Sequence, residues 1–381
     1  MTSAQLADLL PAAAALLGLP GPPPAAELLD PVLGSAGRAP RHVVVLLVDG
    51  LGARQLAEHA ALAPRLSAMA DLGPLSSPFP STTSVSLTSL GTGLAPGMHG
   101  IVGSAFRLDD GSVLSPLSWG HDPNPIVTQP EPTVLERAAA AGILVTTAAP
   151  SAHRSSGLTR AALRGGDYPG ADSLTSRLEV TAQAIDRARA EGRTSLTYVY
   201  WPDLDKAGHV YGVASGAYRS ELARVDSLVA GLADLAADDV LLLVTADHGL
   251  IDVPDEHRFD LESRPALRRG VATILGEPRV RHVYTDPGQA DEVHRIWADE
   301  LGDRAEVRTR AQTEDLLGPV DEWYADRVGD IVAIARTDWG LVSHRIDRVV
   351  SGLRGQHGGT TDAEMLIPLR AAGGSLVAPG P

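Results

Sequence analysis

The chain predicts an α/β fold: a mostly parallel sheet sandwiched by helices, with a small α+β cap or insertion. Three observations carry this expectation. Continuous apolar runs recur as RHVVVLLVDG, ILVTTAAP, SLTYVYWP and DVLLLVTADHG. Runs of that length bounded by turn residues mark strands buried on both faces. Helical patterns over residues 133–141, 178–191 and 218–236 precede the last three runs, and strands alternating with helices imply a parallel sheet. After Asp247–His248 the texture changes, with shorter strand candidates, denser charge and frequent glycine turns.

Taken in order, residues 1–40 form an extension that packs on the core. The start, MTSAQLADLLPAAAALLGLP, is apolar but has no basic residue and carries Asp8. That disfavours a secretory signal and predicts a short surface helix. GPPPAAE is a short linker. The core spans 41–253 and 353–381. Its first strand ends at Asp49 and Gly50, a helix follows over 54–69, and another covers 84–90. The inserted unit spans 254–352, with strands at RVRHVYTD and DIVAIART around a helix at 291–301. The chain returns to the core at GQHGG.

At 381 residues and 44% hydrophobic content, the chain can build a sizeable core. No apolar run reaches the roughly 18 residues of a membrane helix. Cysteine is absent, which excludes disulfides and thiolate metal ligands and makes the cytoplasm the default location. A net charge of −15 disfavours nucleic acid and anionic membrane as partners. Bound divalent cations would reconcile that charge with a phosphorylated substrate, because they are the largest local charges in such a site. The only lysine is Lys206, inside DLDKAGH. It is either the residue of an arginine-rich genome that happens to be Lys, or a substrate contact.

Polar residues fall in short clusters beside strand ends: Asp49, then Asp205 with His209, then Asp247 with His248, then His357 among glycines. In a parallel α/β sheet, ligands bind beyond the carboxyl ends of the strands, so these clusters converge on one rim. Asp205 and His209 are four residues apart and share one face of a helical turn. Asp247 and His248 stand at a strand-ending turn where both can reach one ion; the plainer reading is a polar strand end. Imidazole and carboxylate without thiolate fit Zn²⁺ best, with Mn²⁺ or Fe as alternatives. PSTTSVS supplies Ser81, Thr82, Thr83 and Ser84 just before a helix. Any of these hydroxyls could face a phosphate at the helix N-terminus, or simply cap it.

Together and in order, these motifs resemble the alkaline phosphatase superfamily, most closely its nucleotide pyrophosphatase/phosphodiesterase branch. The resemblance covers about residues 40–250 and the final GQHGG. It implies that Thr83 is the nucleophile, counted back from Thr92–Gly93. It implies one divalent metal held by Asp205, His209 and His357, and a second held by Asp49, Asp247 and His248. YWPDLDKAGHVYG is similar to the family's Y-x-x-x-x-D-x-x-G-H-x-x-G, which selects Asp205 over Asp203. The family's phosphate-holding Asn, twenty-one residues past the nucleophile, is Ser104 here. The resemblance therefore implies hydrolysis of a phosphodiester or pyrophosphate through a phospho-threonine, with Ser104 and Lys206 as candidate substrate contacts. A phosphomonoesterase or phosphonate hydrolase on the same metal core is the alternative. A metal-binding protein without activity is the third reading.

Overall fold

The computed structural model describes residues 4–21, 27–29, 39–236 and 239–373. Four apolar runs form the parallel strands β1 (His42–Val48), β2 (Leu144–Ala148), β3 (Ser195–Trp201) and β4 (Val240–Thr245). Their sheet is six-stranded, and β1 lies between β3 and β4. A closing strand, β5 (Arg370–Gly373), pairs antiparallel with β4, and the two-residue Ala70–Asp71 completes that edge. Strands β1, β3 and β4 are buried along their whole length, as expected for a sheet covered on both faces. Each such Val or Leu contributes about 1.5–3 kcal/mol by leaving water.

Register decides what happens at the rim. Val48 sits opposite Trp201, and Leu47 opposite Thr245. The strands therefore end level, and the residues just beyond them emerge side by side.

Helices cover the sheet: α1 (Leu9–Leu16), α2 (Ala53–Glu58), α3 (Thr83–Thr92), α4 (Val134–Ala140), α5 (Leu174–Ala190), α6 (Asp203–Tyr211) and α7 (Gly216–Leu235). Two expectations need correction. The helix foreseen over 54–69 is broken: α2 ends at Glu58, and a second short helix begins at Pro64. Proline lacks the N–H to continue a helix but suits its first turn. The N-terminal α1 is not a surface helix. Leu9 through Ala14 are buried within the main core, because α1 is apolar on every side.

Within 254–352 the structure has an antiparallel sheet of four strands: Val271–Glu277, Val280–Thr285, Ile331–Ala335 and Ala305–Thr309, in that order. The two outer strands are amphipathic and gave no apolar run to detect. One face buries Trp297 and Val293 of the helix Ala290–Leu301. The other packs Val280, Val332 and Ile334 on Phe79, Ile101 and Phe106. The hairpin joining the first two strands reaches back toward the rim of the parallel sheet.

Candidate metal and phosphoryl-transfer site

Every clustered residue arrives at the rim by a local reason. Asp49 follows β1 directly, and Asp247 and His248 follow β4 at its turn. Asp205 and His209 lie one helical turn apart on α6, with His209 Nε2 at 3.3 Å from Asp205 Oδ2. His357 follows Gly355–Gln356, which pairs with Ile251–Asp252 and so brings the loop beside β4.

Two groups of side chains close enough to hold a cation result. Asp49, Asp247 and His248 form one, and Asp205, His248 and His357 the other. His209 joins the second group, because its Nε2 lies 3.2 Å from His357 Nε2. His248 therefore stands between the two groups, and its ring stacks on that of His357 with centroids 3.8 Å apart.

Hydrogen bonding orients all three imidazoles alike. The Nδ1 of His209 bonds to the Gly355 carbonyl at 2.7 Å, that of His248 to the Gly249 carbonyl at 3.1 Å, and that of His357 to the Ser81 carbonyl at 3.0 Å. A carbonyl can only accept, so each Nδ1 carries the proton and each Nε2 presents a lone pair. These lone pairs face each other, and His248 Nε2 also faces Asp247 Oδ2 at 3.3 Å and Asp49 Oδ1 at 3.6 Å. Asp49 Oδ1, Asp205 Oδ1 and Asp247 Oδ2 are buried without a hydrogen-bond partner among the described residues. Buried acceptors pointing at acceptors are costly unless a cation lies between them, so the donor set fits divalent metals.

The charges agree. Burial and the neighbouring Asp49 push the Asp205 carboxyl up to about 7. Burial and Asp205 push Asp247 up to about 7. Asp49 is raised well above the carboxylate range by burial and by Asp247. Burial depresses His248 to about 3 and His357 well below its ordinary value. The His248 and His357 imidazoles are thus neutral, as metal binding requires.

Thr83 is the first residue of α3 and is buried. Its Oγ1 lies 3.2 Å from His248 Nε2, at the junction of the two groups. The N-cap residue Thr82 makes no side-chain cap bond, so α3 keeps its first N–H groups for another acceptor. Ser77 Oγ donates to the Asp247 carbonyl at 2.6 Å and lies 3.2 Å from Ser86 Oγ, fixing α3 against the end of β4.

Sequence reasoning missed several supporting residues. Tyr200 donates its hydroxyl to Asp49 Oδ2. Ser81 ties the Thr83 segment to the His357 loop, donating to the Gly359 carbonyl at 2.8 Å and accepting the Gly358 N–H at 3.1 Å. Glu277 brings a buried carboxyl, raised by burial to about 8, within 3.9 Å of His357 Nδ1. Ser81 and Tyr200 were visible as polar residues in or beside the motifs. Glu277 gave no signal, because it sits eighty residues from His357.

The two weaker candidates land differently. Ser104 is half-buried, and its neighbour Gly103 accepts the Ser84 hydroxyl at 3.0 Å, which places the loop beside the start of α3. Lys206 is exposed and pairs with Asp203 at 2.8 Å.

The model of the type I phosphodiesterase / nucleotide pyrophosphatase family matches residues 43–360. The chain belongs to that family. Its fold is shared with murine ectonucleotide pyrophosphatase / phosphodiesterase 5, at a TM-score of 0.65 and 22% identity over 87% of this chain and 88% of that one. It is shared equally with the phosphonoacetate hydrolase of Sinorhizobium meliloti 1021, at a TM-score of 0.66 and 20% identity over 87% and 90% of the two chains. The alkaline phosphatase PhoK of Sphingomonas sp is 24% identical over 268 residues, 57% of this chain and 47% of that protein. The chain thus spans about half the length of that curated relative. The family is one of hydrolases of the phosphodiesterase and phosphatase type.

Proposed function

We propose that the protein is a two-metal hydrolase of small phosphodiesters or pyrophosphates of the nucleotide type, acting through a phospho-threonine. The observation that carries this reading is Thr83 Oγ1 at the uncapped N-terminus of α3, 3.2 Å from the imidazole shared by both ligand groups. Asp49, Asp247 and His248 would hold one cation, and Asp205, His209 and His357 the other. Divalent ions there, Zn²⁺ being the best fit to imidazole and carboxylate, would acidify the Thr83 hydroxyl and neutralise charge on the leaving oxygen.

The protein's own groups do the rest. The α3 N-terminus offers N–H groups to the phosphate oxygens. Thr83 Oγ1 forms a bond to phosphorus as the bond to the leaving oxygen breaks in line with it. Water then attacks the same phosphorus, releasing Thr83 Oγ1 and the phosphate product. Ser104, beside α3, has a hydroxyl without a hydrogen-bond partner among the described residues and can donate to a non-bridging oxygen.

Charge supports a diester over a monoester. Arg107 stacks over the Tyr284 ring at 4.6 Å, Arg154 donates to the Pro169 carbonyl, and Lys206 is paired with Asp203. These three basic residues are thus engaged elsewhere, which favours a substrate without a monoester's second charge. An inactive variant of the murine relative has been solved in complex with AMP, which accords with a nucleotide-type substrate. The phosphonoacetate hydrolase of equal likeness keeps phosphonates as the second reading.

The test compares hydrolysis rates of bis-p-nitrophenyl phosphate, p-nitrophenyl phosphate and phosphonoacetate with added Zn²⁺ or Mn²⁺. The diester should be fastest. A clear preference for either other substrate overturns the assignment.

A further inference from the structure

The glycines after His357 face two side chains from the hairpin of the four-stranded sheet. A Cβ at Gly358 would come within 2.7 Å of Glu277 Oε1, and one at Gly359 within 3.0 Å of Arg279 Nη2. Arg279 is fully buried, and so is its partner Glu364. Their contact is bidentate: Arg279 Nε and Nη2 each donate to one oxygen of Glu364 at 2.9 Å. Both terminal nitrogens also donate to backbone, Nη2 to the Thr337 carbonyl at 2.7 Å and Nη1 to the Trp339 carbonyl.

Glu364 in turn grips the loop that carries His357. Its Oε1 accepts the Gly359 N–H at 2.8 Å, and its Oε2 accepts the Thr361 hydroxyl at 2.7 Å. Its backbone carbonyl accepts the Gly249 N–H at 2.8 Å, immediately after His248. One residue therefore touches the chain on both sides of the candidate metal centre.

We propose that Arg279 is a positioning residue for His357: through Glu364 it holds the 357–361 loop in register, making the hairpin of the four-stranded sheet part of the metal centre. The chemistry requires arginine. A planar fork can fix both oxygens of a carboxylate and still donate to two carbonyls, whereas a lysine ammonium cannot match that geometry. Lysine at this position would keep the charge but free Glu364 to rotate. The Gly359 N–H would then lose its fixed acceptor, and the His357 Nε2 its aim.

This inference rests on the two-metal reading, and the experiment separates the two. Calorimetric titration of the metal-free protein with Zn²⁺ counts sites, and titration with Co²⁺ records their absorption spectra. If the wild type takes up no metal, the two-metal reading fails and the inference with it. If the wild type takes up two equivalents, Arg279→Lys should weaken one of them by about 10–100-fold, leave the other unchanged, and alter one cobalt spectrum. Glu364→Gln should weaken the same equivalent, and the double variant should lose no more than the worse single one. Folded variants that bind both equivalents like the wild type would overturn the proposal, even with a lower Tm. Should Arg279→Lys fail to fold, Glu364→Gln decides by the same criterion.

Discussion

Thr83 Oγ1 lies 3.2 Å from His248 Nε2, although 165 residues separate them. The proton on His248 Nδ1 is held by the Gly249 carbonyl, so Nε2 accepts and the Thr83 hydroxyl donates. The nucleophile candidate is thereby aimed at the point where the two ligand groups meet, before any substrate arrives.

Thr83→Ala removes that hydroxyl together with one methyl group. Turnover should fall by roughly 10³-fold or more, as for other nucleophile deletions, while metal content stays unchanged. Thr83→Ser keeps the hydroxyl and should retain measurable activity. Near-normal rates in the alanine variant, measured with the metals confirmed bound, would sink the covalent mechanism.

The pH dependence of metal binding should follow the carboxylates Asp205 and Asp247 rather than His248. With folded values near 7 against an ordinary 3.8, Asp205 and Asp247 stabilise the metal-free fold below about pH 4. That contribution is lost as pH rises through about 7. His248, near 3 when folded, is already neutral across this range. The gain in Tm on adding Zn²⁺ should therefore grow between about pH 5 and 8, as the carboxylates ionise. A gain independent of pH, read by calorimetry in matched buffers, would contradict this.

Tyr200→Phe strips Asp49 of its hydroxyl donor while keeping the ring that fills the space. The buried carboxyl loses an interaction that favours its charged form. Stability should fall by about 1–3 kcal/mol, and affinity for one metal by about tenfold or more. Unchanged affinity in a zinc titration would show that the Tyr200 contact does not tune the ligand.

Lys206 should act by its field and not by contact. Its ammonium is paired with Asp203, yet its charge favours the ionised forms of Asp49 and Asp205. Lys206→Met should raise KM for an anionic substrate by less than about tenfold, with the effect shrinking in salt. A collapse of kcat comparable to Thr83→Ala would instead place Lys206 on the reacting phosphate.

Much of this candidate site was legible in the sequence because each candidate ligand sits next to a local signal. Asp49 closes an apolar run, Asp247–His248 closes another, and Asp205–His209 has helical spacing. The sheet class followed from the same runs, since strands buried on both faces must be nearly all apolar. Thr83 could be separated from Ser81, Thr82 and Ser84 only by family resemblance. The structure gives a physical reason for the difference: Thr83 Oγ1 faces His248, whereas Ser81 and Ser84 bond to backbone carbonyls.

By itself the sequence determined the residue types at the ends of the strands, and hence the donor chemistry of the candidate site. Tertiary structure decided how they are shared and what supports them. The level ends of β1, β3 and β4 put His248 between both groups, a result of register that no local pattern encodes. Tyr200, Glu277, Arg279 and Glu364 reach the site across long stretches of chain, and their roles exist only once packing removes water and forces each buried polar atom to find a partner.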